Sequence, residues 1–454
     1  MKTKNLDGAA SSADDTKVHR GLALLFFITP ITAVMAGAVL ISGITPHVVT
    51  SALFVIVAGV SILAPHRKLT ALTTTVLSIV IAMCVVTILH LAAVGVPISN
   101  EVTISLSGLA ILLGVASVRA NSRTFNVFIV GWTFAYLLAG AAAIMERFLG
   151  YVAPNNYLLS VGYDVETVGV ASFFGNPNGF GFFLVATGAV FMPFVLTAKN
   201  MKVRALYFAL QLSTLYFMLE TYSRTGFTLL AIIILLTLWK LLYKRDLLRF
   251  LVILGVLIVV IVQLLSPGGV GFFNDLRDNT FFSTAEDDSF IVRFNLILNG
   301  LLFLGENPLI GIGPGMYEVN MQTQRDLYPA GDMINPHNGF IEILSQYGLV
   351  VFALYVIWLF RSFVSARNLM RLAETNRERN YVLGLTQVVL IALLPFTATM
   401  HSTFLGAPAA WLYLCAIVVL GRMATSSAAE VDNPRPVGPG RRSLEARAYR
   451  RYVS

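Results

Sequence analysis

The chain carries very little charge. Only 12% of its 454 residues are Asp, Glu, Lys or Arg, whereas 56% are hydrophobic. The hydrophobic residues fall in blocks long enough to cross the hydrocarbon core of a bilayer, which is about 30 Å thick. This pattern excludes an ordinary water-soluble domain and indicates a protein that crosses a membrane many times.

Cysteine is almost absent. Cys84 and Cys415 are the two cysteines, and both lie inside apolar blocks, which excludes a disulfide framework and a thiolate metal cluster. The six histidines show no second ligand at a useful spacing, so we expect neither a metal nor another cofactor. The net charge of +8 follows from membrane topology and gives no indication of nucleic-acid binding.

The apolar blocks lack the strict alternation of membrane β-strands. Backbone groups in lipid must be hydrogen-bonded within their own segment, so the blocks predict α-helices. The predicted fold is an all-α, polytopic transmembrane bundle of about twelve spans. The predicted spans are 21–43, 47–64, 69–94, 102–118, 124–145, 172–197, 205–221, 226–243, 250–266, 339–360, 381–400 and 405–421.

Basic residues are scarce in every second loop. If the N-terminus is inside, 27 of the 32 basic residues lie on the cytoplasmic side. Positive residues near span ends resist translocation, so both termini are predicted to be cytoplasmic. The five outer basic residues are all arginine: Arg147, Arg224, Arg277, Arg293 and Arg325.

The chain is predicted to contain one membrane domain between two tails. The domain covers 21–421, with a cytoplasmic tail at 1–20 and a basic, disordered or lipid-bound tail at 422–454. A long outer loop at about 267–338 separates spans nine and ten. Within this loop, residues 290–304 predict a helix on the membrane surface, and GIGPG at 311–315 predicts a tight turn.

The middle of every predicted span lacks charged residues. Coupled transporters usually keep their ion or proton sites at that depth. The pattern therefore disfavours a secondary transporter, although a flippase that works through a hydrated groove stays open.

Arg224 lies at a predicted anion site. In TYSRTG, Ser223 can cap the following helix, and Arg224 then falls in its first turn. Free N–H groups, the positive end of the helix dipole and a guanidinium converge there. The alternative for both Arg224 and Arg293 is an interfacial arginine that reaches towards the headgroups.

His337 follows Asn335 and Pro336, a pair that starts a turn or helix. In the first turn of that helix, the dipole would disfavour imidazolium and leave a neutral ring that can accept a proton. A general base for a hydroxyl nucleophile needs this property. The alternative is an interfacial histidine hydrogen-bonded to its own loop.

The segment GNPNGFG at 175–181 is expected to loosen the outer start of span six. Irregular backbone at membrane depth is tolerated where it is buried in protein or lines a wet cavity. Asn176 and Asn178 could cap this backbone or contact a polar ligand such as a sugar.

Five motifs in order resemble one known family. FFGNPNGFGFFL, SRTG at 223–226, SFIVRFNLI, ENPLIGIGPGMYE and PHNGFIEILSQYG together resemble the O-antigen ligase and polymerase superfamily of bacterial integral-membrane glycosyltransferases. The resemblance covers roughly residues 170 to 350.

The resemblance implies transfer of a glycan from undecaprenyl diphosphate to a hydroxyl acceptor, which can be a glycan, a glycolipid or a wall polymer. The reaction would be metal-independent and inverting, and it would occur at the outer face of the bacterial cytoplasmic membrane among its lipids. Arg224 and Arg293 match the family's diphosphate-handling arginines, and His337 matches its proposed base. The expected substrate-binding residues are Asn176, Asn178, Ser223, Asn338, Arg325 and Arg147.

Ligase and polymerase activities stay open, as do the sugar and the acceptor. A lipid-linked oligosaccharide flippase is the alternative from another class, and a non-catalytic scaffold of a wall-synthesis complex is a third. A flippase knockout would trap the donor on the cytoplasmic side, an enzyme knockout would trap it outside, and a scaffold would tolerate loss of all three catalytic candidates.

Overall fold

The computed structural model describes residues 7–37, 45–63, 69–94, 99–118, 122–154, 162, 165–242, 288–324, 327–371 and 377–432. All regular structure in these ranges is helical, which confirms the predicted fold class. The predicted ninth span at 250–266, together with Arg277 and Arg325, lies outside the described residues.

The described helices follow the apolar blocks closely. We number them in chain order: α1 Asp7–Val34, α2 Pro46–Leu63, α3 Ala71–Val94, α4 Asn100–Ser117, α5 Ser122–Leu149, α6 Val165–Val168, α7 Pro177–Thr197, α8 Met201–Glu220, α9 Arg224–Leu241, α10 Asp288–Glu306, α11 Met316–Thr323, α12 Gly339–Arg371, α13 Arg377–Thr397 and α14 Pro408–Asp432. A short 3-10 turn, Met35–Gly37, follows α1.

Eight of these helices are long and apolar enough to cross a membrane: α2, α3, α4, α5, α7, α9, α12 and α13. Two shorter apolar stretches, Arg20–Val34 and Pro408–Met423, coincide with the predicted first and last spans. The chain is therefore a multi-pass helical membrane protein. The count of twelve and the cytoplasmic placement of both termini stay predictions.

Helix α7 forms the centre of the bundle. In its most apolar stretch 94% of residues are buried, against 28 to 61% in the other seven long apolar helices. Its few polar groups are matched inside the bundle, where the Trp132 indole donates to the Thr187 hydroxyl at 2.9 Å. The Gln211 amide also donates to the carbonyl of Gly188 at 2.8 Å. These bonds hold α5 and α8 against α7 without exposing polar atoms to lipid.

Arginines of α12 and α14 bond to the chain at the start of α3 and the end of α4. Arg422 is 4% exposed and donates to the carbonyl of Val118 at 3.0 Å and to the hydroxyl of Thr70 at 2.6 Å. Arg361 donates to the carbonyl of Ala71 at 3.2 Å. These arginines belong to the group predicted to face the cytoplasm.

Helix α12 is broken at Gly348, where φ is +75°. The break interrupts the hydrogen bonds within the helix. Residues 308–313 form hydrogen bonds with the backbone groups that lose their helical partners. Ile312 and Gly313 donate to the carbonyls of Ser345 and Gln346 at 2.9 and 3.0 Å, and Leu349 donates to the carbonyl of Pro308 at 2.8 Å. Backbone freed near a membrane must be paired in this way.

The GIGPG segment is non-helical, as predicted, with positive φ at Gly311, Gly313 and Gly315. Its role extends beyond a turn, because it lies along the break in α12. The N–H of Gly315 donates to the side chain of Gln346 at 2.7 Å. The sequence pattern predicted the turn but not its contact with the break in α12. No proline lies next to Gly348, so the sequence gives no sign of a break there.

The start of the sixth span agrees with its prediction only in part. Residues 172–176 are not helical, but the helix from Pro177 is regular, and the side chain of Asn176 accepts from the N–H of Gly179 at 2.8 Å. Proline at the first helical position is compatible with a regular start. Helix α14 continues to Asp432, and the disordered or lipid-bound state of the predicted tail stays a prediction.

We expect Gly348→Ala to destabilise the protein. A side chain at this φ, with ψ of −179°, costs about 1 to 3 kcal/mol, and the new methyl group would also collide with the backbone of Leu309 and Ile310. The thermal unfolding midpoint of the purified protein in detergent should fall. Gly305→Ala is the matched control because open space surrounds that glycine; an equal fall in both variants would contradict this explanation.

Candidate functional site

Five helices begin around the loop at 398–407, which connects α13 to α14. Helix α12 is tied to this loop by the N–H of Gly339, which donates to the carbonyl of Ala398 at 3.1 Å. Ser105 of α4 donates to the carbonyl of Leu405 at 3.1 Å. The ring centroids of Phe182 of α7 and His401 are 4.4 Å apart. Met400 lies against Gly226 of α9.

We call this region the site end of the bundle: the loop 398–407 and the first turns of α4, α7, α9, α12 and α14. A helix N-terminus carries a partial positive charge and unpaired N–H groups. Five of them around one loop make a region that favours an anionic ligand, provided that cationic side chains are also present.

His337 lies at the entrance to α12. Its backbone N–H donates to the carbonyl of Ser402 at 3.0 Å, and its φ is +46°. The helix begins after it: Asn338 is the capping residue, and its side chain accepts from Phe340 at 3.0 Å and Ile341 at 3.3 Å. The prediction that His337 occupies the first turn was therefore wrong by two residues.

The imidazole of His337 is nevertheless held neutral. Burial, followed by the positive charge of Arg293, lowers its pKa from 6.5 to about 4. The sequence pattern predicted a neutral ring from the helix dipole, whereas burial and Arg293 are the causes in the folded chain. The structure thus places Arg293 and His337, two of the three predicted catalytic residues, in one electrostatic environment.

Arg293 is brought to His337 by helix α10, which was predicted at 290–304. The helix packs on α12 through Gly300, which lies against Ile341, and the hydroxyl of Tyr317 donates to the carbonyl of Leu296 at 2.5 Å. The Nε atom of Arg293 is buried and has no hydrogen-bond partner among the described residues. Such an atom costs free energy unless a ligand or water completes it.

His401 is a residue of this region that sequence reasoning left without a role. It is 6% exposed, and its Nε2 atom has no hydrogen-bond partner within the described part of the chain. Burial and then the neighbouring His337 lower its pKa to about 3. Its position just after span eleven offered the only signal, and a lone histidine at a span end has too many ordinary explanations.

Arg224 and Ser223 occupy the predicted positions on α9. Arg224 is the first residue of the helix, and the Ser223 side chain accepts from the N–H of Gly226 at 3.4 Å. Ser223 is buried against Gly181 of α7, whereas Arg224 is exposed. Arg224 therefore lies at the site end, as the first residue of a helix whose start packs against α7.

The predicted substrate-binding residues differ in their surroundings. Asn176 and Asn338 use their side chains as helix caps, whereas Asn178 is half-buried one residue beyond Pro177. Arg147 forms an ion pair with Glu220 at 3.2 Å, so its charge is already compensated. Their roles towards a substrate stay predictions.

Carboxyl groups lie on the α4 side of the site end. Glu101 and Glu342 are hydrogen-bonded to each other, and Gln346 donates to Glu101 at 3.4 Å. Burial and then Glu101 raise the pKa of Glu318, which accepts from Asn335. No group of three or more His, Cys, Asp or Glu among the described residues is arranged to hold a metal ion.

A known family model matches the part of the chain that contains the three predicted catalytic residues. Residues 208–356 match the family model described as O-antigen ligase. The matched range runs from within α8 to within α12 and includes Arg224, Arg293 and His337, but it stops before the loop 398–407. No curated protein matches the chain at a significant level.

We expect Arg293→Gln to raise the pKa of His337. Removing the guanidinium removes one of the two causes that disfavour imidazolium, so the pKa should move from about 4 towards 6.5 while burial still holds it below that value. Titration of the histidine ring signals by NMR in nanodiscs, assigned with His337→Gln, measures the shift. An unchanged or lower pKa would show that Arg293 does not act on this ring.

Proposed function

We propose that this multi-pass protein, whose residues 208–356 form an O-antigen ligase family domain, transfers a glycan from undecaprenyl diphosphate to a hydroxyl acceptor. The acceptor is a glycan, a glycolipid or a wall polymer. The reaction takes place at the site end, on the extracytoplasmic side of the bacterial cytoplasmic membrane. The family match supports a glycosyltransferase of the membrane, and the particular donor, side and residues are our proposal.

The observation that carries the proposal is the proximity of Arg293 to His337. A buried guanidinium nitrogen that has no hydrogen-bond partner among the described residues lies close enough to a neutral imidazole to lower its pKa. This arrangement combines an anion-binding group with a proton acceptor. Transfer from a diphosphate to a hydroxyl requires both groups within one site.

In the proposed reaction, the acceptor oxygen attacks the anomeric carbon from the face opposite the diphosphate. The new C–O bond forms as the bond from the anomeric carbon to the phosphate oxygen breaks, which inverts the configuration. Undecaprenyl diphosphate leaves with the electron pair, and His337 takes the hydroxyl proton. Arg293 and Arg224 stabilise the negative charge that develops on the leaving diphosphate.

The low pKa of His337 fits this order of events. A ring whose pKa is lowered to about 4, first by burial and then by the charge of Arg293, is a weak base. A bound diphosphate would neutralise that charge and raise the pKa of His337 towards the range of an effective base. Binding of the donor would therefore prepare the proton acceptor for the second substrate.

We expect His337→Ala, Arg293→Ala and Arg224→Ala to lower glycan transfer by at least about a hundredfold, as loss of a general base or of an oxyanion-stabilising group does. The assay uses purified protein, a defined undecaprenyl-diphosphate oligosaccharide and candidate acceptors. Arg367→Ala is the matched control, because Arg367 is an exposed arginine near the opposite end of α12.

Wild-type transfer with full activity in all three site variants would refute these residue roles. If the protein is a glycosyltransferase, the His337→Ala protein should accumulate normally in cells while lipid-linked oligosaccharide builds up outside the membrane. A build-up on the cytoplasmic side would support a flippase instead.

Transfer should also continue in excess chelator. If arginines compensate the charge of the departing diphosphate, EDTA at several times the total metal concentration should leave the rate unchanged. A rate that falls with EDTA and returns with added Mg²⁺ or Mn²⁺ would overturn the assignment of Arg224 and Arg293 to this task.

A further inference from the structure

Glu342 joins the first turn of α12 to the loop 398–407. Its side chain is fully buried, and its two carboxyl oxygens accept from the consecutive backbone N–H groups of Phe404 and Leu405, at 2.5 and 3.1 Å. The carboxyl group thus holds two consecutive backbone donors of the loop. No substrate contact is needed to explain these bonds.

The same loop holds His337 from the other side. The carbonyl of Ser402, two residues before Phe404, accepts from the N–H of His337 at 3.0 Å. The carbonyl of Ala398 accepts from Gly339 at 3.1 Å. The loop is thus bonded to the chain on both sides of Asn338, and Glu342 fixes its following residues.

His337 needs such restraint because its backbone is strained. A non-glycine residue at φ +46° persists only where surrounding contacts determine the conformation, at a cost of roughly 1 to 3 kcal/mol. The bond to Ser402 is the hydrogen bond of the His337 N–H. If the loop moved, this bond would lengthen and the ring would change its burial and its distance from Arg293.

We infer that Glu342 is a positioning residue, which sets the place of the His337 imidazole by holding the loop 398–407. The inference rests on the proposed function for its catalytic consequence, since His337 is the proton acceptor there. It concerns an element that lies outside the matched family domain, because that domain ends at residue 356.

Several titratable groups lie near His337 and Glu342. Arg293 and His401 are the charged or titratable groups that interact with His337, and Glu101 is the carboxyl group bonded to Glu342. Burial and Arg293 set the pKa of His337. A change in that pKa after substitution of Glu342 therefore reports movement of the ring rather than loss of a direct charge contact.

The test measures the pKa of His337 in Glu342→Gln and Glu342→Ala proteins by NMR titration of the histidine rings in nanodiscs. Glutamine keeps one acceptor oxygen, whereas alanine keeps none, so the shift should be larger in Glu342→Ala. We expect the pKa to rise by about one unit or more in Glu342→Ala as the ring becomes hydrated or leaves Arg293. Glu342→Gln preserves the test if the alanine variant does not fold.

Glu146→Gln is the matched control. Glu146 is also a buried carboxyl side chain that accepts from two consecutive N–H groups, those of Ala171 and Ser172 at 3.0 and 2.6 Å. It holds a different loop, so its loss should lower the unfolding temperature without moving the pKa of His337. An unchanged His337 pKa in both Glu342 variants, or an equal shift in Glu146→Gln, would overturn the positioning role.

Transfer kinetics separate this inference from the proposed function. If Glu342 positions the base, kcat should fall about tenfold to a hundredfold in Glu342→Gln, with a smaller change in KM for the donor. A shifted His337 pKa in a wild-type protein that shows no transfer would support the positioning and refute the proposed function. Normal transfer and an unmoved pKa would refute the positioning alone.

Discussion

The hydrogen bonds between residues 337–342 and the loop 398–405 are the constraint on which the site end depends. His337 and Gly339 donate to carbonyls of this loop, and Glu342 accepts from its N–H groups. Donors and acceptors thus run in both directions between two segments that are distant in sequence. Without these bonds, α12 and α14 would begin side by side with no fixed relation between His337 and the neighbouring helices.

A second constraint comes from the membrane itself. The break at Gly348 would leave polar backbone groups exposed to lipid, and the segment 308–313 pairs with them instead. The same segment leads into α11, whose Tyr317 bonds the backbone of α10. The backbone requirement of α12 therefore also orients α10, and α10 carries Arg293 to His337.

Positively charged groups lie together at the site end. Helix starts, Arg224 and Arg293 supply positive charge, and the nearest carboxyl groups are occupied with backbone or with each other. Arg147 is paired with Glu220. Burial and then the positive charge of Arg293 keep His337 neutral.

Much of this protein could be predicted from its sequence, because the relevant physics is local. Long apolar blocks must form helices in lipid, Ser223 and Asn176 stand where helix caps are needed, and glycines at 311, 313 and 315 forbid a helix. Tertiary structure alone decided that Gly348 interrupts α12, that His337 precedes its helix in a strained conformation, and that the loop 398–407 meets four other helix starts. These features depend on contacts between segments far apart in the chain, whose energies leave no periodic pattern in either segment by itself.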